Sequence, residues 1–254
     1  EHNMSVFQAY STYYDLLYQD KDYTAEANYV IDRLTNSLGK KPKSILELGC
    51  GTGKHAEIFA KHGIDVWGVD LSATMIEQAK QRLPNANFTQ GDVRFVQIDQ
   101  TFDSVISLFH VASYQIGNDD IKNYLKTAAY HLQAGGIFLF DFWYGPAVYS
   151  QQPTVRVKRM QNNQAQILRT AEPVHRENDC VVEVNYEVIV EEIATKQTQH
   201  IKEQHLMRYF FLPELTHLLE SAGFEANTIK FEEWLTGNAP SGNTWGVTAI
   251  ARKL

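Results

Sequence analysis

Ser44-Ile45-Leu46-Glu47-Leu48-Gly49-Cys50-Gly51-Thr52-Gly53-Lys54-His55 is the stretch from which the fold can be read. An apolar run breaks into three glycines within five residues, and a helix-forming segment, Ala56 to His62, follows. This order predicts strand, tight turn and helix, a unit whose helix N-terminus and bare backbone can hold a nucleotide-like ligand. Glycines permit φ > 0 and let a ligand lie against the main chain. The dinucleotide pattern G-x-G-x-x-G would need a third glycine where Lys54 stands, which disfavours a nicotinamide dehydrogenase. A plain turn ahead of a core helix would need neither the three glycines nor the acid Glu47.

Downstream, Gly63 stops the helix and Ile64 to Val69 reads as a second buried strand ending at Asp70. An acid there can accept hydrogen bonds from both hydroxyls of a ribose. Ser72 is available to cap the next helix, Thr74 to Leu83, which leaves Asp70 free for that role. A third strand, Asn87 to Gln90, runs into Gly91-Asp92-Val93. Phe102 to Phe109 is a continuous apolar run of the kind covered on both faces in a parallel sheet. It empties into His110-Val111-Ala112-Ser113-Tyr114-Gln115, the type of loop where an α/β sheet presents its chemistry. A helix over 119–131, the turn Leu132 to Gly136 and a fifth strand, Ile137 to Phe142, follow.

The pattern then changes. Alternating residues in Thr154–Met160, Gln164–Thr170, Val181–Val190 and Gln197–Leu206, joined by short polar turns, predict hairpins. They define an antiparallel insertion over 146–207 that carries substrate contacts or a dimer surface, or serves as a passive cover. The flanking segments, 1–145 and 208–254, form the main domain. After the insertion come a helix from Pro213 to Ala222 and two last strands, Ala226–Phe231 and Trp245–Ala251.

Upstream, residues 5 to 23 are crowded with Phe7, Tyr10, Tyr13, Tyr14, Tyr18 and Tyr23. They fit either a helix covering the sheet edge or an aromatic lid over a small-molecule pocket. Residues 24 to 38 read as an amphipathic helix with Ala25, Tyr29, Ile31, Leu34 and Leu38 inward.

The 254 residues are 44% hydrophobic and 21% charged, ordinary for a globular chain with a substantial core. No apolar run approaches the roughly 18 residues of a membrane span. No secretory signal is visible, and Glu1-His2-Asn3, ahead of Met4, read as added residues. The two cysteines, Cys50 and Cys180, make no framework and read as reduced thiols of a cytoplasmic protein. A net charge of −7 argues against broad nucleic-acid binding. The histidines show no metal-ligand spacing, so no metal is expected.

Glu47 with the G-x-G-x-G turn, then Asp70, Asp92 and the Leu132-Gln133-Ala134-Gly135-Gly136 turn, resemble class I S-adenosylmethionine (SAM) methyltransferases. The resemblance implies a Rossmann-like α/β fold: a seven-stranded sheet with six parallel strands and a reversed last hairpin, here with an inserted antiparallel sheet. It implies that Glu47, Gly49, Cys50, Gly51 and Gly53 hold the methionine part of SAM and Asp70 the ribose. It further places Asp92 and Val93 on the adenine, with Leu71 and Leu108 beside the cofactor. Tyr14-Asp15, Lys21-Asp22-Tyr23 and Thr52-Gly53-Lys54-His55 are similar to the nucleotide-sugar N,N-dimethyltransferases that finish deoxyaminosugars. In that group the inserted sheet supports a dimer, so a homodimer through this sheet is implied. One departure is that the group's active-site histidine falls on Tyr114 here, with His110 four residues earlier.

Candidate catalytic residues are therefore His110, Tyr114 and Tyr14, with Tyr18, Tyr23 and Arg208 as candidate substrate contacts. His110 has a plainer reading as a core histidine, and Arg208 as a bridge to an acid. Trp234 and Trp245 read as core. The implied reaction is methyl transfer from SAM to a small polar metabolite, with the amine of a nucleotide-linked amino sugar as the first choice. Alternatives are O-methylation of a sugar or other small metabolite and, from another class, a non-catalytic SAM-binding or assembly protein.

Overall fold

The computed structural model describes residues 6–254, with side chains from residue 9 on; Glu1 to Ser5 and the Phe7 side chain lie outside it. The first half of the chain runs α1 (Val6–Leu17), α2 (Tyr23–Leu38), β1 (Ser44–Leu48), α3 (Lys54–Lys61), β2 (Asp65–Asp70), α4 (Ala73–Arg82), β3 (Asn87–Gln90), β4 (Phe102–Ser107), α5 (Asn118–Tyr130) and β5 (Leu132–Tyr144). The second runs α6 (Gly145–Ser150), β6 (Arg156–Gln161), β7 (Ala165–Arg176), β8 (Val181–Glu192), β9 (Thr198–Phe210), α7 (Leu212–Ser221), β10 (Lys230–Glu233) and β11 (Gly246–Arg252).

Two units result. Tyr23–Gln151 and Arg208–Leu254 form the larger. Its sheet has the order β3-β2-β1-β4-β5-β11-β10, parallel throughout except that β11 runs against both its neighbours. The seven-stranded sheet with a reversed final hairpin is thus present as expected. β1 lies between β2 and β4, so the strand order reverses beside it and opens a crevice at the strands' carboxyl ends. All six residues of β4 are buried, as a doubly covered strand requires. Its polar groups have internal partners: Asp103 accepts the Lys43 and Ser44 amides, and the Ser107 hydroxyl donates to the Leu48 carbonyl.

Ser72 caps α4 by accepting the Met75 amide. Pro213 stands in the first turn of α7, and Gly223, at φ 101°, lies just past its end. Three local expectations change. The penultimate strand does not begin at Ala226, because Ala226–Thr228 forms a 3₁₀ turn fixed by the Thr228 hydroxyl on the Glu225 carbonyl. On α2 the inward face holds Glu26, Ala27 and Val30, and Ala25 is exposed. β4 ends at Ser107, because Phe109 and His110 turn into the left-handed region.

The smaller unit joins the described part of Glu1–Asp22 to Gln152–Met207. β6, β7 and β8 pair antiparallel, with Val157 opposite Thr170 and Leu168 opposite Ile189, and β9 lies next to β8. The expected antiparallel insertion is present, but the boundary differs: α1 groups with these strands and not with the main domain. Ala9, Tyr13 and Leu16 pack on Ala165, Ile167, Val188, Val190 and Ile201. The period-two alternation leaves Val157, Val174 and Ile189 exposed on the other face.

Candidate active site

The glycines after β1 are there for three different reasons, although each has φ > 0: 86° at Gly49, 56° at Gly51 and 79° at Gly53. At Gly49 an added Cβ would stand 2.6 Å from Val111 Cγ2, so the loop after β4 presses directly on this turn. At Gly53 it would meet Ala79 at 3.3 Å, and at Gly51 nothing within 4 Å. Gly51 is therefore the point where bare backbone faces open space.

The turn's amides mostly have internal partners. Gly49 and Cys50 donate to the Val69 carbonyl at 2.7 and 2.9 Å, Gly51 to Asp70 Oδ2 at 2.9 Å, and Gly53 to the Cys50 carbonyl at 3.1 Å. What remains for a ligand is the open surface at Gly51, the first-turn amides of α3, which have no intrahelical acceptor, and Glu47. Glu47 is 1% exposed, and its Oε2 has no hydrogen-bond partner. Burial, followed by the charge of Asp70, pushes its carboxyl up to about 8. A buried carboxyl with one open oxygen suits a cationic donor. Cys50 is buried, which pushes its thiol up and leaves it unreactive.

Asp70 accepts Gly51 N–H on Oδ2 and Ser72 N–H on Oδ1, both at 2.9 Å, which fixes its carboxylate and leaves acceptor positions for two hydroxyls. Leu71 beside it is 69% exposed. Asp92 is more committed. Arg94 clamps it with Nε on Oδ1 at 3.0 Å and an η nitrogen on Oδ2 at 2.8 Å, holding the carboxyl below its usual range. It also accepts the Arg94 amide, which leaves about one of a carboxylate's four acceptor positions open. Val93 packs against the core, and Leu108, 3% exposed, is part of it, so Leu108 can offer a ligand only its backbone.

His110 follows β4 with φ 64°, directly after Phe109 with φ 67°. Two adjacent non-glycine residues in the left-handed region cost roughly 1–2 kcal/mol each, strain of the sort found where side chains must be aimed. Asp141 on β5, 2% exposed, accepts the His110 amide at 3.1 and 3.2 Å. The same carboxylate stands 3.0 Å from Nδ1, off hydrogen-bond alignment. Trp143 meets the imidazole edge-on at 6.1 Å. A partly exposed imidazole braced by a buried carboxylate is the usual arrangement for moving a proton through the other ring nitrogen. The composition of Ile137–Phe142 could have pointed to Asp141, as the single acid in an apolar strand.

Sequence reasoning also missed Glu26 and His55. His55 Nε2 lies 2.9 Å from Glu26 Oε1, and its Nδ1 lies 4.0 Å from Glu47 Oε1, linking α2 to the acid of β1. The signal was Glu26 standing in the buried stripe with Val30 and Leu34. Tyr23, a candidate substrate contact, meets the His55 ring at 5.0 Å with the Lys54 ammonium 4.9 Å from its own ring, so it lies beside the cofactor turn. Tyr114 is 46% exposed on the 3₁₀ turn Val111–Tyr114, in the same loop as His110. Tyr14, on α1, and Tyr18, in the turn just after it, belong to the smaller unit. There the Tyr14 hydroxyl bonds to Glu203 at 3.1 Å, and burial pushes its pKa well up. Arg208 is 7% exposed and bonds Asn118 Oδ1 at 3.1 Å and Glu214 Oε2 at 3.0 Å, so it does bridge to an acid.

Residues 45–136 match the family model described as a methyltransferase domain. A dTDP-3-amino-3,4,6-trideoxy-alpha-D-glucopyranose N,N-dimethyltransferase from Streptomyces venezuelae is 30% identical over 231 residues, 90% of this chain and 92% of that relative. The chain belongs to the SAM-dependent methyltransferase family. This methyltransferase shares its fold with a SAM-dependent methyltransferase from Clostridium acetobutylicum (TM-score 0.82, 20% identity, 98% of this chain and 99% of the other). It also matches the SAM-bound amino pentose methyltransferase CalS10 from Micromonospora echinaspora (TM-score 0.77, 24% identity, 100% of both chains). It is an enzyme whose cofactor is S-adenosyl-L-methionine. The residues of the methyltransferase fit that group: an orphaned carboxylate oxygen at Glu47 for an ammonium, open backbone at Gly51 and a fixed acceptor pair at Asp70.

Proposed function

We propose that this methyltransferase acts on the amine of a nucleotide-linked amino sugar. The observation that carries the reading is the similarity over nine-tenths of the chain to an enzyme named for N,N-dimethylation of a dTDP-linked amino sugar. SAM supplies a methyl group already activated on a sulfonium, so the protein's task is alignment and exclusion of water, which can lower a barrier by several kcal/mol. Glu47 Oε2 takes the cofactor's ammonium, Asp70 its ribose hydroxyls, and Val93 with the open position on Asp92 its adenine. His110, braced by Asp141, removes a proton from the acceptor through Nε2, and Tyr114 in the same loop orients it.

The same His110–Asp141 pair also favours a second reading, O-methylation, because an alcohol needs a general base more than an amine does. A panel of nucleotide-linked amino sugars and their hydroxyl counterparts, incubated with SAM and read by mass, separates the two. The expected outcome is the mass gain of one or two methyl groups on the amines only. Transfer to the hydroxyl series with none to the amines would overturn the first reading.

The reading also places the enzyme in the cytoplasm, where Cys50 and Cys180 stay reduced, and pairs two copies through the open face of the inserted sheet. Val157, Val174 and Ile189 share that face and are exposed, which supports the pairing. Sedimentation of the full chain is expected to give a dimer and I189K a monomer; an unchanged species in both would count against this surface.

A further inference from the structure

A cavity of about 460 Å³ lies along α5 and α7, and none of its lining residues belongs to the turn after β1. Its volume is within the range of small-molecule sites. Lys122 and Lys126 line it from α5, one turn apart on the same face, and His217 lines it from α7. Glu214 is the one acid among its lining residues, and that carboxylate is already engaged by Arg208. In a chain with a net charge of −7, such a concentration of cations is a local exception.

Arg208 is the buried member of this lining. Its side chain is 8% exposed, its η nitrogens bond Asn118, Glu214 and the Ile116 carbonyl, and its Nε has no partner. One carboxylate therefore offsets three cations, of which Arg208 is held in place and the two lysines are exposed, and neither lysine has an ion-pair partner among the described residues. Ile116 closes the loop that carries His110 and Tyr114, so Arg208 links this cavity to the candidate catalytic loop.

We propose that the cavity between α5 and α7 is an anion site that takes a phosphate or diphosphate group through Lys122, Lys126 and Arg208. As a subsite for the diphosphate of a nucleotide-linked acceptor it rests on the proposed function; as a site for free phosphate or pyrophosphate it does not. Compact, multiply charged anions suit this lining because lysine heads can close on oxygens from one side while a preorganised guanidinium stands behind them. An apolar ligand would leave these cations desolvated and unpaired.

The test is calorimetric titration of the full chain with pyrophosphate, inorganic phosphate and a nucleoside diphosphate, in the wild type and in the double variant K122E/K126E. Neither lysine belongs to the cofactor site, so SAM affinity in the variant checks that it is folded. The expected result is binding to the wild type with a loss of about tenfold or more for each lysine reversed, the scale of a charge-assisted hydrogen bond. SAM affinity is expected to stay the same. Competition between pyrophosphate and the nucleoside diphosphate, both lost in the variant, marks the substrate subsite. Binding of the free anions without such competition marks an independent phosphate site. No binding of any of the three to the wild type, or equal binding in the variant, overturns the proposal. Methylation of an amino sugar that survives that result leaves the proposed function standing. A confirmed anion site with no amine methylated would sink the function and spare the site.

Discussion

The turn after β1 and the loop after β4 solve one geometric problem in opposite ways. Both leave a parallel strand at the crevice, and both need φ > 0. The first uses Gly49, Gly51 and Gly53, which adopt that conformation without strain. The second uses Phe109 and His110, which pay for it, and it is held by the buried carboxylate of Asp141. On the cofactor side the backbone must be bare, whereas on the acceptor side a side chain must be aimed. The two touch at Gly49 and Val111, so the cofactor turn and the candidate catalytic loop are one packed unit.

That contrast can be broken from the glycine side first. G49A adds left-handed strain of roughly 1–2 kcal/mol and overpacking of roughly 1–3 kcal/mol against Val111. Thermal melts should show a loss of about 2–5 kcal/mol, and SAM binding should fall with it. V111A in the same chain should recover the overpacking part and not the strain. A G49A loss that V111A leaves unchanged would mean that the two loops are not in contact, and no loss at all would contradict the strain as well.

Next in size is the acceptor side. H110A should lower kcat/KM for an amine acceptor near neutral pH by about 10²-fold or more, within the range assigned to general-base catalysis. The deficit should shrink at higher pH, where the amine arrives without its proton. D141N keeps an acceptor for the His110 amide and should cost less, with the imidazole less well oriented.

A pH series tests Glu47, whose surroundings include the Asp70 charge and, at 4.0 Å, His55. Its carboxyl, pushed up to about 8, keeps its proton in the folded chain after an unfolded chain has lost it. Without cofactor, stability should therefore be greatest below about pH 5 and decline toward pH 8, by up to about 1.4 kcal/mol per unit from this group. E47Q should flatten the decline. An unchanged slope would put the titrating group elsewhere.

The smallest effect sharpens the comparison most. H110G should remove the strain at that position, less the entropy that glycine adds to the unfolded chain, for a net gain of about 1 kcal/mol or less in stability together with lost activity. If it destabilises instead, the left-handed residue is not held there for function.

The same contrast explains what could be read beforehand. The strand–turn–helix unit, the buried strands, the inserted hairpins, and the positions of Glu47 and Asp70 follow from glycine spacing, period-two alternation and buried runs, all local properties, whereas the seven-stranded sheet with its reversed last hairpin comes from the family resemblance. Asp141 and Glu26 carry a local signal as acids among apolar residues, but their pairing with His110 and His55 could not be assigned, because those partners lie 31 and 29 residues away and only the fold joins them. The placement of α1 failed for a related reason: its aromatic residues do not say which element covers its buried face, which holds Ala9, Tyr13 and Leu16. Glycines 49 and 53 do take the expected φ > 0, but packing on Val111 and Ala79 fills the space beside them, so of the three only Gly51 keeps room for a ligand.

The most direct test of a cofactor turn packed on a proton-accepting loop is the pH dependence of kcat/KM for a nucleotide-linked amino sugar, compared between wild type and H110A, with the product identified by mass. The account predicts N-methylated product from wild type and a variant deficit that is largest below the acceptor's own pKa and narrows above it. No methylation of any amine, or a deficit that stays constant across pH, would contradict it.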